Sequence, residues 1–165
     1  MSEFINTIDL LGDAVVLNSI IDRSITEFKD NLVTLVGNNT FRNCAALTSV
    51  VLPNVTSIGN YAFNGCAALT SVDLTNVTIL GTNACYGCAE LDTLILRSSS
   101  TICLIPNSYS LYGTKIASGT GYIYVPSALK DQYASANYWK SYQFRALEDY
   151  TVDGTTTGEL DTSKI

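Results

Sequence analysis

The stretch NCAALTSVVLPNVTSIGNYAFNGCAALTSVDLTNVTILGTNACYGCAELDTLIL, residues 43–96, repeats one pattern at a spacing of 22 residues. Aligning the chain with itself at that spacing brings glycines, cysteines and aliphatic residues into shared columns. The columns are Gly37, Gly59 and Gly81; Cys44, Cys66 and Cys88; Leu47, Leu69 and Leu91; Val50, Val72 and Leu94; Leu52, Leu74 and Leu96. So many coincidences predict an architecture in which equivalent units stack on one another.

The repeat length predicts a solenoid, because one unit of this size cannot bury its apolar face alone. We expect two short strands in each coil, with equivalent side chains stacked about 4.8 Å apart. Alternation within LTSVVLP directs Val50 and Leu52 inward and the residues between them outward. The outward rows, which form the candidate ligand-binding surface, are Glu27, Ser49, Ser71 and Thr93 and, beside them, Lys29, Val51, Asp73 and Ile95.

The pattern Cys-x-x-Leu-x-x-Val-x-Leu-Pro-x-Val-x-x-Ile-Gly-x-x-Ala-Phe over residues 44–63 resembles the BspA-like leucine-rich repeats. Val55 and Ser57 depart from the better-known leucine-rich consensus, which favours this class. The resemblance implies a β-rich, right-handed leucine-rich-repeat solenoid over residues 25–97, built from paired short strands. It also implies non-catalytic adhesion at a bacterial surface or, as in prophage-borne relatives, a role associated with a virion or phage tail.

A stack of so few coils needs a cap at each end, since each end exposes an apolar cross-section. Apolar residues recur at roughly helical spacing over residues 5–21, so the N-terminal cap, residues 1–24, is predicted to be helical. Residues 98–147 are predicted to form the last, degenerate coil and a mixed C-terminal cap. Residues 148–165 are expected to form a polar tail or a small hairpin.

Within the C-terminal cap, the segment YIYV is a strand by residue type and should end at Pro126. Ser127 is predicted to cap a helix that continues to about Ala136.

Eight of the ten tyrosines lie at or after Tyr109. These rings either seal the last coil or form an aromatic platform for sugars or a protein partner, because a tyrosine combines a large apolar body with a polar tip. The residues of this alternative site are Tyr122, Tyr124, Tyr138, Trp139 and Tyr142.

Residues that carry catalytic chemistry are sparse. The chain has no histidine, which removes most hydrolase triads and histidine metal sites. Cys85-x-x-Cys88 is the sharpest metal or redox candidate, but Cys88 belongs to a buried column and a structural zinc site needs four ligands. Free thiols are expected, although the sequence leaves open whether Cys85 pairs with Cys88 or with Cys103. No enzymatic activity, cofactor or metal is therefore predicted.

Charge and hydropathy exclude some classes of binding partner and bear on where the chain is located. The net charge is −6 and the nine lysines and arginines are scattered, which disfavours nucleic acid. No apolar run approaches the roughly 20 residues that cross a bilayer, and no basic residue precedes Arg23, unlike in a secretory signal. As written, the chain is expected to be cytoplasmic or virion-associated, whereas the family resemblance implies a cell surface.

The predicted function is recognition of a protein or glycan by the outward rows. The alternative is a structural or assembly protein, in which a homo-oligomer buries those same rows.

Overall fold

The computed structural model describes residues 6–11, 14–20, 22–149, 151–152 and 155–156. Successive coils contribute one short strand to each of two sheets. The first sheet has the strand order β1 (Asn6–Leu11), β2 (Ala14–Ile20), β4 (Leu35–Val36), β6 (Ser57–Ile58) and β8 (Ile79–Leu80). The second sheet, again in spatial order, contains β11 (Phe144–Ala146), β10 (Tyr122–Val125), β9 (Thr93–Leu96), β7 (Ser71–Leu74), β5 (Ser49–Leu52) and β3 (Glu27–Lys29).

The repeat period sets the register of both sheets. Val50 pairs with Val72, and Val72 pairs with Leu94, so that each column forms a parallel ladder. The cross-strand pairs β2–β4, β4–β6 and β6–β8 are parallel as well. The interior of the stack is apolar: the Phe41 and Phe63 rings stack with centroids 5.1 Å apart. The predicted solenoid with two short strands per coil is confirmed.

The N-terminal cap is a β-hairpin, so the prediction of a helix was wrong. Strands β1 and β2 pair antiparallel, and β2 then pairs in parallel with β4, placing Val16 beside Leu35 and Leu17 beside Val36. The first coil presents an unpaired strand edge, and a helix could not satisfy that row of backbone groups. A strand does so directly, since the Gly37 N–H donates to the Leu17 carbonyl at 2.8 Å.

The C-terminal region continues the stack after an insertion. The Phe63 N–H donates to the Ala84 carbonyl in the next coil, 21 residues on, whereas the Cys85 N–H donates to the Ser110 carbonyl, 25 residues on. The inserted residues explain why the repeat pattern dissolves beyond Leu96 although the coil itself persists.

Among the described residues one α-helix is present, α1 (Ser127–Ser135), which follows β10 and packs against the end of the stack. The predicted capping role of Ser127 was wrong, because Pro126 occupies the N-cap position with no side-chain hydrogen bond. Ser127 lies inside the helix, and its hydroxyl donates to the Glu148 carboxylate at 3.1 Å.

Two 3₁₀ turns cover Ser108–Leu111 and Leu147–Asp149. In the tail, β12 (Thr151–Val152) and β13 (Thr155–Thr156) pair antiparallel, and the rest of that segment lies outside the described residues. Within the described ranges, no helix has the length and apolar character needed to span a bilayer.

Candidate recognition surfaces

The outer face of the second sheet carries the predicted outward rows. The register aligns them across the strands as Glu27, Ser49, Ser71, Thr93 and Tyr122, and as Lys29, Val51, Asp73, Ile95 and Tyr124, with Arg145 beyond Tyr124. We call these eleven residues the sheet face. The two rows therefore continue into Tyr122 and Tyr124, so two of the five residues of the alternative aromatic site lie on the sheet face.

The exposure of the sheet face falls from one end toward the middle. Glu27 and Lys29 are exposed and lie 3.9 Å apart as an ion pair. The central serines, together with Val51 and Thr93, are half-buried. Ile95 is only 2% exposed, so the expectation that its side chain is accessible was wrong. A ligand on this face would therefore meet small polar side chains close to the backbone.

Asp73 and Arg97 form a paired charge near the centre of the sheet face. The Arg97 Nε and Nη2 groups donate to the two carboxylate oxygens at 2.7 Å and 2.9 Å. The two side chains are 18% and 6% exposed, respectively. Because a bidentate pair of this kind fixes both groups in one geometry, the Asp73 carboxylate is a rigid part of the surface rather than a free acid.

The five residues of the alternative aromatic site do not form one platform. Tyr122 and Tyr124 lie on the sheet face, and the Arg145 guanidinium carbon lies 3.5 Å from the centroid of the Tyr122 ring. Trp139 is 1% exposed, and its indole N–H donates to the Cys103 carbonyl at 2.7 Å. Tyr138 is exposed and has a left-handed backbone conformation.

Trp139 instead belongs to an aromatic cluster that seals the last coil. Its ring lies edge-on to Tyr133 and to Tyr142, with centroids 5.5 Å and 6.1 Å away. The Tyr133 ring also stacks on Phe144 at 5.5 Å. For this half of the tyrosine-rich segment, the sealing interpretation agrees with the contacts.

A second group of exposed rings lies along the edge formed by the turns between the two sheets. Tyr86 and Tyr112 stack with centroids 5.4 Å apart, and Tyr109 lies 5.9 Å from Tyr112. Their exposed fractions are 37%, 55% and 55% in the order Tyr86, Tyr112, Tyr109. Sequence reasoning did not single out these residues, because the insertion shifts Tyr112 out of the repeat spacing. Allowing for that shift would have aligned it with Tyr86.

The cysteine column lies in the core. All five cysteines are buried free thiols. The Cys66 and Cys88 thiols donate to the Phe41 and Phe63 carbonyls, each at 3.0 Å. The adjoining Cys88 thiol and burial raise the pKa of Cys66 far above its usual range. Burial alone raises the pKa of Cys103 to about 12.

A neutral, buried thiol is a poor nucleophile, because the thiolate is the reactive form. The described part of the chain holds no cluster of histidine, cysteine or carboxylate side chains suited to a metal ion. The five cysteine side chains belong to the apolar core cluster and contribute to its packing.

Comparison with known proteins places the repeats in a family. Residues 21–131 match the BspA-type leucine-rich repeat region, in six copies. A leucine-rich repeat protein of T. pallidum is similar in structure, with 17% identity and a TM-score of 0.49, over 75% of this chain and 70% of that one. A leucine-rich cell surface protein of Faecalibacterium prausnitzii A2-165 is also similar, with 17% identity and a TM-score of 0.47.

The second similarity covers 82% of this chain and 53% of that protein, so this chain spans about half its length. A search of the curated proteins returned no match. The family match extends over well more than half of the residues and agrees with the observed parallel coils. The chain belongs to the BspA-type leucine-rich repeat family.

Proposed function

We propose that this chain is a non-catalytic recognition module that binds a protein or glycan through the sheet face. The observation that carries the proposal is the register, which aligns two rows of side chains across consecutive strands and ends them at Tyr122, Tyr124 and Arg145. Repeat solenoids build extended binding surfaces in this way, because equivalent positions of successive coils lie side by side.

The composition of the sheet face supports contact with a ligand. Tyrosine and arginine are enriched among residues that dominate binding energy, and both lie at the β10–β11 end. The serines on β5 and β7 are small, so a partner can approach the strands closely. The paired strands fix the backbone of these residues, and Arg97 fixes the Asp73 carboxylate, which lowers the entropy lost when a ligand binds. Adhesion at a bacterial surface is the biological role that this family membership suggests.

A steric and charge block on the sheet face tests the proposal. The measurement is binding to an array of immobilised proteins and glycans. We expect Ser71→Arg to abolish binding to every protein or glycan on the array that the unaltered chain binds. Ser57→Arg is the matched control, because Ser57 is also a half-buried strand serine but lies on the other sheet. Tyr122→Ala should weaken the same interactions by about 30-fold, the effect of losing a binding hot spot.

Equal binding by Ser71→Arg and Ser57→Arg would contradict the use of this face. Light scattering on the unaltered chain separates recognition from assembly. A stable oligomer that the Ser71→Arg variant dissociates would show that the sheet face serves self-association instead.

A further inference from the structure

A second, chemically different site lies on the edge formed by the turns. An open pocket of about 350 Å³ is lined by Arg23, which precedes β4, and by Asn39, Arg42 and Asn43, which follow it. This volume is at the lower end for ligand pockets. Its lining concentrates two guanidinium groups in a chain whose net charge is −6.

Neutral groups hold both guanidinium groups in place within the described part of the chain. Arg23 Nη1 donates to the Thr40 carbonyl at 3.2 Å and to the Arg42 carbonyl. The Arg42 guanidinium lies over the Tyr61 ring, 5.6 Å from its centroid, and donates to Asn39 Oδ1 at 3.5 Å. No described Asp or Glu forms an ion pair with either arginine, in contrast to Arg97.

Arginine presents five N–H donors in a planar fork that matches a carboxylate. Among the described residues, the hydrogen bonds of Arg23 use one nitrogen, Nη1. The remaining donors of two pre-oriented guanidinium groups therefore favour an anionic ligand.

Two asparagines of the pocket have left-handed backbone conformations. Asn39 and Asn43 have φ angles of 62° and 60°, in the left-handed region. The position of Asn43 is taken by Gly65 and Gly87 in the next two coils, with φ angles of 74° and 73°. Glycine adopts this conformation at the least cost. Asparagine at position 43 gives up that advantage and supplies an amide that lines the pocket.

The tyrosines of the turn edge continue from the pocket along the stack. Equivalent positions in successive coils are occupied by Arg42, Asn64, Tyr86 and Tyr112. The hydrogen bonds between coils show this: the Asn43 N–H donates to the Asn64 carbonyl at 2.8 Å, the Gly65 N–H to the Tyr86 carbonyl at 2.9 Å, and the Gly87 N–H to the Tyr112 carbonyl at 2.9 Å. With coils about 4.8 Å apart, these positions span roughly 14 Å. The stacked, exposed rings of Tyr86 and Tyr112 thus lie three coil spacings or fewer from the arginine pocket.

We propose that this edge binds an acidic oligosaccharide, with a sugar carboxylate in the Arg23–Arg42 pocket and sugar rings on Tyr86 and Tyr112. Guanidinium forks and amides suit a ligand dense in carboxylate and hydroxyl groups, and flat exposed rings suit the apolar faces of sugars. The site is separate from the sheet face, so the Ser71→Arg variant should leave it unchanged.

The probe is a hyaluronan octasaccharide, whose repeating unit contains one uronic acid, and the measurement is titration calorimetry at low salt. We expect Arg42→Gln and Tyr112→Ser each to weaken binding by at least about tenfold. Lys130→Gln and Tyr138→Ser are the matched controls, because both residues are exposed and lie in the C-terminal cap; they should change the affinity less than about twofold. A neutral chitin oligosaccharide should not compete.

Three outcomes would overturn the proposal. The first is failure of the octasaccharide to bind the unaltered chain, and the second is an equal effect of Arg42→Gln and Lys130→Gln. The third is that an octa-glutamate peptide binds as tightly as the octasaccharide and that Tyr112→Ser leaves the affinity for both unchanged. This result would assign the pocket to an acidic peptide. Arg42→Lys keeps the positive charge but removes the planar guanidinium group. We expect its affinity for the octasaccharide to lie between those of the unaltered chain and Arg42→Gln, and an unchanged thermal unfolding temperature would show that the fold is intact.

Discussion

Gly59 lies where the backbones of two coils approach each other. A Cβ atom at this position would be 2.6 Å from both the Gly37 carbonyl carbon and the Asn38 nitrogen. Those atoms belong to the backbone of the preceding coil, so they cannot move aside without disturbing the ladder. The glycine column therefore reflects the coil spacing itself.

We predict that Gly59→Ala destabilises the protein by about 3 kcal/mol, because the added Cβ clashes with the backbone of the preceding coil. Gly87→Ala is the control: its φ of 73° is unfavourable for alanine, but the nearest atom to an added Cβ is 4.0 Å away. It should cost about 1 kcal/mol. Urea unfolding measures both values, and an equal loss would contradict the steric argument.

The Asp73–Arg97 pair predicts a second residue-scale effect. Asp73→Asn should lower the free energy of unfolding by about 3 kcal/mol, since it removes the carboxylate charge that accepts two hydrogen bonds from an arginine side chain that is only 6% exposed. Glu90→Gln removes the exposed Lys115–Glu90 pair, with N–O distance 2.6 Å, and should give no measurable change. If the two variants unfolded at the same urea concentration, the central pair would be unimportant for stability.

The two caps cover the exposed ends of the stack with different secondary-structure elements. The hairpin β1–β2 adds a strand to the open edge of the first sheet, with Leu17 and Ile20 buried. At the other end, α1 supplies Leu129 and Tyr133 to the core. The Tyr133 hydroxyl accepts a hydrogen bond from the Cys103 N–H at 2.6 Å, which ties the helix to the inserted coil.

Tyr133→Phe therefore tests how the C-terminal cap is attached. The variant keeps the ring but leaves the buried Cys103 N–H without its acceptor, so we expect a loss of about 2 kcal/mol. Tyr138→Phe makes the same chemical change on an exposed ring and should be neutral. Thermal unfolding of both variants decides the matter, and neutral behaviour of Tyr133→Phe would show that ring packing alone holds the cap.

Over the whole molecule, the buried thiols couple folding to alkaline pH. The pKa of Cys103 is about 12 in the folded chain and 9.0 as an ordinary thiol. Burial raises the pKa of Cys44 as well, and the adjoining Cys88 thiol raises that of Cys66. Above pH 9 the unfolded chain releases thiol protons that the folded chain retains, so rising pH favours unfolding.

We predict that the free energy of unfolding is insensitive to these thiols below pH 9 and decreases between pH 9 and about pH 12. Each thiol with a raised pKa contributes a slope of about 1.4 kcal/mol per pH unit. Cys103→Ala should make that slope shallower, whatever its effect at neutral pH. Urea titrations at several pH values test this, and an unchanged slope would contradict it.

The repeat columns show how far sequence reasoning extends. Val50, Val72 and Leu94 could be aligned in advance because each coil repeats the same local contacts, so spacing along the chain becomes position in the sheet. The eight residues of the two outward rows followed from strand alternation for the same reason, whereas the structure added Tyr122, Tyr124 and Arg145 to the sheet face. The burial of Ile95 could not be predicted in this way, because alternation indicates the face on which a side chain lies but not whether other residues cover it.

The sequence by itself thus determined the period, the solenoid and the two outward rows, because these depend on contacts between equivalent residues. Only the tertiary structure decided the N-terminal strand, the interior position of Trp139 and the meeting of Arg23 with Arg42. Each of these depends on an open sheet edge, an inserted coil or a turn that brings together residues at no repeating interval. The spacing of residues along the chain does not predict such contacts.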